Sequence, residues 1–318
     1  ASGKSVYNPG ARLSFAVDEK NRLWTTYLHT GHLMLYQLYP NLAPQLVRQE
    51  LSLYWKDNPT VEVEYSMRET GPEFDPTTNT LWINDRDHNR ILRVSNYDEY
   101  SKKLLVDLVI GQPNKTSVQC NHNQQYDWTA KGAPSADSLC DVGRIEFDRL
   151  GNLYAIENNY ECHGNNRITV FMGEDIQRAS TLFPNISARK VFVSNSLTQP
   201  ANCSEVPYKI NSPISVAFDS QNQMVVTTDG TGWANDGTRA TTQLFLYRNP
   251  LAKKSDGTYV MGQNPDAVIR LPMGAPGEVA FDRNDNLIVQ DHTWSRVWVI
   301  NLNEKDDAGN FIWLVPAS

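Results

Sequence analysis

The sequence has no long apolar run, no basic cluster and only four cysteines. No stretch approaches the roughly 18 uncharged apolar residues that a membrane-spanning helix needs, so we expect no membrane span. The net charge is −7, and Lys and Arg form no runs beyond pairs, which argues against a nucleic acid partner. The sequence also lacks a Gly-x-Ser-x-Gly elbow, a phosphate loop and a dinucleotide fingerprint. These absences exclude several enzyme classes but not a fold.

Turn-forming and strand-forming residues are both abundant. The 318-residue chain contains 18 Gly and 17 Pro together with 8 Trp, 14 Tyr and 10 Phe. Aromatic residues favour strands, whereas Gly and Pro favour tight turns. The composition therefore predicts many short strands joined by turns.

A repeated pattern decides the predicted architecture. An apolar strand that ends in Asp is followed by a short turn, often with Asn, and by a second apolar strand. The repeated Asp residues are Asp18, Asp75, Asp148, Asp219 and Asp282. Asp and Asn tolerate left-handed backbone angles and bond to their own turn, as a tight hairpin requires. With a third and a fourth apolar run, each unit predicts about four antiparallel strands.

Four-stranded units repeated around an axis form a β-propeller, in which radial closure protects the sheet edges. The stretches 147–171 and 74–94 resemble NHL repeats, and "LVIGQP" (108–113) resembles a linker between blades in secreted or surface proteins of that family. We therefore predict an all-β protein, a single propeller domain over 1–318. Five blades are favoured, at about 10–50, 70–110, 143–194, 213–272 and 276–316. Six blades is the alternative, with extra strands hidden in 51–67.

The cysteines predict an extracellular or cell-surface protein. In a propeller, the loops between second and third strands share one face, here called the loop face, with the connections between blades. All four cysteines fall on it, and we favour the pairs Cys120–Cys140 and Cys162–Cys203 over four free thiols. The sequons at Asn114 and Asn185 permit glycosylation of a secreted protein without being evidence for it.

The loop face also collects the polar residues most able to act on a ligand. Carboxylates and imidazoles from several blades would meet around one opening if these loops converge, and could serve a divalent ion, calcium or zinc, or a general base. The candidate binding residues are Asp85, Asp87, His88, Glu157, Asn158, His163, Asp229, Trp233, Asp291, His292 and Trp294.

A structural role competes with this interpretation. Three of the acids end a second strand and are followed by an Arg that opens the third strand. We expect each acid to cap its turn and to pair with that Arg. The expected pairs are Asp85 with Arg90, Glu157 with Arg167, and Asp291 with Arg296.

Two functions remain open from the sequence. Exposed loop aromatics beside Asn and Asp are typical of protein or glycan binding, so the favoured function is an extracellular NHL-type binding or assembly module, assembly with other copies included. The alternative is a metal-dependent lyase or hydrolase with a site at the axis. The stretch 71–85 is similar to gluconolactonase-type hydrolases, and the surroundings of Cys162 are similar to peptidyl-hydroxyglycine lyases. The metal ligands that both resemblances imply are missing or displaced here, so no cofactor is firmly implied.

Overall fold

The computed structural model describes residues 15–26, 31–67, 70–100, 102–122, 134–157, 165–192, 197, 213–228, 244–273, 276–291 and 294–317. These residues form 22 strands and one short helix, α1 (Gly173–Arg178). No helix among them is long and apolar enough to cross a membrane.

The strands form five sheets, the blades of a five-bladed β-propeller. The first blade contains β1 (Phe15–Val17), β2 (Arg22–Thr26), β3 (Leu33–Gln37) and β4 (Gln45–Leu51). The second contains β5 (Leu53–Trp55), β6 (Asn58–Val63), β7 (Pro72–Phe74), β8 (Leu81–Asp85), β9 (Arg90–Val94) and β10 (Leu104–Ile110). The third contains β11 (Val142–Phe147), β12 (Leu153–Glu157), β13 (Arg167–Phe171) and β14 (Lys190–Phe192). The fourth contains β15 (Pro213–Phe218), β16 (Met224–Thr228), β17 (Leu244–Tyr247) and β18 (Ala267–Ile269), and the fifth β19 (Pro276–Phe281), β20 (Asn286–Asp291) and β21 (Arg296–Asn301). The last strand, β22 (Leu314–Pro316), joins the fourth sheet.

The repeated Asp residues build the hairpins as the sequence predicts. In the third blade, Asp148 Oδ1 accepts the backbone N–H groups of Leu150 and Asn152, each at 2.9 Å. In the fifth blade, Asp282 Oδ1 accepts those of Asn284 and Asn286, each at 2.8 Å. The turn then needs a left-handed residue, which Gly151 supplies in the third blade with φ of 77°. One side chain therefore satisfies two turn donors and fixes the register of the two strands.

Adjacent blades are joined by aromatic pairs from the second strand of one blade and the first strand of the next. The ring centroids of Trp82 and Phe147 lie 5.5 Å apart, and those of Tyr154 and Phe218 lie 4.8 Å apart. Trp24 and Phe74 form the equivalent pair at 6.4 Å. Trp24 and Trp82 are fully buried and belong to the core.

A polar bridge joins adjacent blades at three interfaces, the first–second, the second–third and the fourth–fifth. Asn84 Nδ2 donates to the backbone oxygen of Val142 at 2.7 Å. Thr227 Oγ1 donates to that of Gly277 at 2.9 Å, and Thr26 donates to that of Thr70. Each bridge joins the second strand of one blade to a carbonyl at the inner strand of the next blade. The bridges therefore fix the position of each inner strand along the propeller axis, here called its height.

Two details differ from the sequence expectation. The stretch 51–67, the candidate for a sixth blade, adds the hairpin β5–β6 to the second sheet, where β5 pairs in parallel with β10. The end of the predicted fifth blade, 276–316, contributes β22, which pairs with β18 of the fourth blade. Short runs carry no sequence signal for their pairing partner, so tertiary packing decides both outcomes.

The faces of the first and fifth blades carry exposed apolar side chains. Phe15 and Val17 on β1 are 59% and 46% exposed. Val297 and Val299 on β21 are 60% and 62% exposed. These side chains are therefore not covered by other described residues.

Candidate functional site

Asp85, at the end of β8, is fully buried and holds its own loop. Its Oδ2 accepts Arg90 Nε at 2.7 Å, which confirms the predicted ion pair. Its Oδ1 accepts the backbone N–H of Ser66 at 2.8 Å and lies 2.7 Å from His88 Nδ1. The carboxylate is therefore occupied by protein partners.

Glu157, at the end of β12, occupies the same position in the third blade and is also fully buried. Its Oε1 accepts Arg167 Nε at 2.6 Å and the hydroxyl of Thr169. Its Oε2 accepts the backbone N–H of Cys140 at 3.0 Å and the side-chain amide of Asn165. The predicted ion pair is confirmed, and Glu157 links the blade to the connection that precedes it.

Asp291, at the end of β20, repeats the arrangement in the fifth blade. Its Oδ2 accepts Arg296 Nε at 3.0 Å, which confirms the third predicted pair. Trp294 is 64% exposed, and its ring lies 5.9 Å from the Arg296 guanidinium. Trp294 is therefore an exposed aromatic on the loop face.

The remaining candidates are placed as follows. Asp87 and His88 are half-buried on the 3-10 turn Arg86–His88. The candidates Asn158, His163, Asp229, Trp233 and His292 lie outside the described residues. Within the described ranges, no group of three His, Cys, Asp or Glu side chains is placed to hold a metal ion. The calcium or zinc ion at the axis stays a prediction.

The cysteine and sequon predictions are resolved in part. Cys120 and Cys140 form a disulfide, as predicted. Cys162 and Cys203 lie outside the described residues. Asn114 and Asn185 are both exposed. A disulfide is typical of proteins from oxidising compartments.

A second group of charged side chains lies on the inner strands. We call it the axial cluster: Glu73 on β7, Arg144 and Glu146 on β11, and Glu278 on β19. Arg144 Nη1 lies 2.6 Å from Glu278 Oε1. This ion pair joins the third blade to the fifth and passes by the fourth, so it spans the centre of the ring.

The repeat places these residues at matching heights. Glu73 and Glu146 each stand two residues before the repeated Asp, where the other blades carry Ala16, Ala217 and Ala280. Arg144 and Glu278 each stand four residues before it. Because alternate residues of a strand point to the same side, the cluster occupies two adjacent layers. Inner strands begin at the loop face, so the Arg144 and Glu278 layer is nearer to that face.

Partial burial perturbs the carboxyls of the axial cluster. The Arg144 and Glu278 side chains are 15% and 26% exposed. Desolvation raises the pKa of Glu73 to about 7, with Arg144 opposing the shift and Glu278 adding to it. Desolvation also raises the pKa of Glu146 well above its usual value, and the charge of Glu73 adds to the shift. Two interacting carboxyls with raised pKa values are typical of acid–base sites.

The sequence reasoning missed the axial cluster. Each member is a single charged residue inside an apolar strand, which is also the pattern of a half-exposed strand. The available signal was the register, because Glu replaces Ala two residues before the repeated Asp in two of the five units.

Comparisons with known proteins add little about activity. No family model matches the chain, and no curated protein matches it. The resemblance to NHL repeats therefore stays a prediction.

Solved structures resemble the chain at low identity. An oxidoreductase (glucose dehydrogenase) from Thermus thermophilus is 15% identical, with 97% of this chain and 85% of that chain covered and a TM-score of 0.48. The PQQ-bound aldose sugar dehydrogenase from Streptomyces coelicolor is 14% identical, with 92% and 78% covered and a TM-score of 0.47. Virginiamycin B lyase from Staphylococcus aureus with quinupristin is 12% identical, with 95% and 69% covered and a TM-score of 0.42. Such likenesses support no statement about activity, since one fold hosts many functions.

Proposed function

We propose that this propeller is a hydrolase or lyase that uses Glu73 and Glu146 for acid–base catalysis at the axis. The observation that carries the proposal is the convergence of Glu73 and Glu146, on the inner strands of the second and third blades, with the Arg144–Glu278 ion pair that spans the ring. Burial raises the pKa of both carboxyls, which suits them to proton transfer. The loop-face acids support it less well, since Asp85 and Glu157 are buried and held by their own loops.

The chemistry follows from the sharing of protons between two carboxyls. At a pH near 7, one carboxyl is ionised and accepts a proton while the other is protonated and donates one. A hydrolase needs a base to activate water and an acid to protonate the leaving group, and a lyase needs the same two roles for elimination. Arg144 and Glu278, nearer to the loop face, would contact a substrate that enters from that side.

The described axial residues do not fit a divalent ion. The guanidinium of Arg144 places a fixed positive charge beside the carboxylates. We therefore assign no step to a metal, and the proposed acid–base roles rest on the carboxyls themselves.

Binding through the loop face is the second candidate function. The exposed indole of Trp294, with the Arg296 guanidinium nearby, supports it. Aromatic rings of this kind stack on sugars or anchor protein partners. An extracellular or cell-surface location is proposed from the disulfide and serves either function.

The test is turnover of a panel of small lactones, esters and elimination substrates across a pH series. Glu73→Gln and Glu146→Gln should each lower kcat by about 100-fold or more, because a carboxamide transfers no proton. Glu62→Gln, on the exposed strand β6, is the matched control and should match the wild type. If neither axial variant affects turnover, or if the wild type converts no member of the panel, the proposal is wrong.

A further inference from the structure

Arg144 has a hydrogen-bond donor that no described residue uses. Its Nε atom is buried and makes no hydrogen bond to the described residues. Its Nη1 atom lies 2.6 Å from Glu278 Oε1 in an ion pair. A buried charged donor without an acceptor destabilises the fold more than a neutral one, because it has lost its hydration without gaining a partner. A ligand atom that accepts a hydrogen bond from Arg144 Nε would satisfy this donor.

The groups around Arg144 add further donors. Glu73 on β7 and Glu146 on β11 interact, and burial raises the pKa of each, so the pair shares a proton near neutral pH. Glu278 on β19 is the counter-ion. Two positions of the other blades that match the cluster are uncharged. Ala16 of the first blade matches Glu73 and Glu146, and Ser215 of the fourth blade matches Arg144 and Glu278. Ser215 is fully buried, and its Oγ accepts the backbone N–H of Val279 at 3.4 Å.

The balance of donors and acceptors selects the ligand. The protonated carboxyl of the pair and the guanidinium offer protons, and the Glu278 carboxylate neutralises the guanidinium charge. A ligand group that brings acceptor oxygens and no protons of its own complements this set. A carboxylate has this chemistry and makes strong charge-assisted hydrogen bonds to Arg.

We propose that Arg144 binds a carboxylate group of the substrate at the axis, using the Nε donor that the described residues leave unpaired. This inference rests on the proposed function for its site and adds the substrate class. Binding should weaken as the pH rises through about 7, because ionisation of Glu73 then places negative charge beside the bound anion.

The test is calorimetric titration of the full chain with acetate, succinate and inorganic phosphate, at one pH below and one above 7. Acetate or succinate should bind, and Arg144→Met should weaken the binding at least tenfold. Arg178→Met, on the exposed part of α1, is the matched control and should bind like the wild type. Glu73→Gln should bind with a smaller pH dependence.

Four results would overturn the proposal: no binding of any probe by the wild type, equal affinity in Arg144→Met, binding of phosphate alone, or affinity that increases with pH. If Arg144→Met does not fold, Arg144→Lys takes its place, and it should bind more weakly because it lacks Nε. Carboxylate binding through Arg144 without any turnover would contradict the catalytic role of Glu73 and leave this inference standing. Turnover that depends on Glu73, with no carboxylate binding, would support the catalytic role of Glu73 and contradict this inference.

Discussion

Arg144 Nη1 on the third blade lies 2.6 Å from Glu278 Oε1 on the fifth blade, and the fourth blade stands between them in the chain. Such a contact requires inner strands close enough for side chains to meet across the centre. It therefore identifies the axis, and not only the loop face, as a place where charged groups from several blades converge.

Replacing Glu73 should change how stability depends on pH. The folded protein holds this proton up to about pH 7, whereas the unfolded chain releases it near the ordinary Glu value of 4.5. Folded molecules therefore bind more protons between these values, and wild-type stability should fall as the pH rises through this range. In Glu73→Gln the fall should be smaller by about 1–3 kcal/mol. Urea unfolding at a series of pH values measures it, and an unchanged slope in the variant would contradict the assignment.

The fully buried pair of Glu157 and Arg167 should be costly to break. Arg167→Met leaves a buried carboxylate without its counter-ion, so the free energy of unfolding should fall by about 3–5 kcal/mol. Arg296→Met removes the equivalent Arg from the fifth blade, where the Arg is 43% exposed although its partner Asp291 is buried, and should cost less than Arg167→Met because water reaches this site. Equal losses in the two variants would show that burial does not set the cost. Denaturant unfolding of both variants provides the comparison.

Lys190 on β14 should make the protein more stable in mild alkali. Its ammonium is buried, its Nζ donates to Val260 O at 2.8 Å and to Gln263 Oε1 at 2.9 Å, and burial lowers its pKa to about 8. Between about pH 8 and the ordinary value of 10.5, the unfolded chain binds more protons than the folded protein, so stability should rise with pH.

Lys190→Met should remove this rise, whereas Lys253→Met, at an exposed position on the hairpin 251–262, should keep it. Urea midpoints measured between about pH 7.5 and 9.5 give the slopes, below the range in which the tyrosines of the unfolded chain ionise. A slope that persists in Lys190→Met would assign it to another group.

The disulfide should stabilise the fold through its loop. Cys120 and Cys140 are separated by 20 residues, and a loop of this length predicts about 3 kcal/mol from reduced entropy of the unfolded chain. The double variant Cys120→Ser/Cys140→Ser should lose about this amount in urea unfolding. Because Cys140 N donates to Glu157, exchange of that amide with solvent deuterium should also become faster. A variant as stable as the wild type would show that the connection is held by other contacts.

The sequence predicted the blades because each hairpin is specified locally. The repeated Asp binds the amides of its own turn, and these contacts need no information from elsewhere in the chain. The pairs Asp85–Arg90 and Glu157–Arg167 were predictable for the same reason, since a hairpin brings both residues together.

The axial cluster was not predictable in this way. Glu73, Arg144 and Glu278 lie on three different blades, and their proximity depends on the diameter of the ring and on the height of each inner strand. The bridges from Asn84 and Thr227 set these heights, and no local pattern encodes them. Pairing of β5 with β10 and of β22 with β18 likewise depends on tertiary packing.

The position of β22 has a mechanical consequence. This strand leaves the fifth blade and pairs over three residues with β18 of the fourth. A load applied near the last residues would reach the fourth blade through this short ladder before it stretches the inner strands. Under tension, the hydrogen bonds between β22 and β18 would therefore break first, with the axial residues on β7, β11 and β19 still in place.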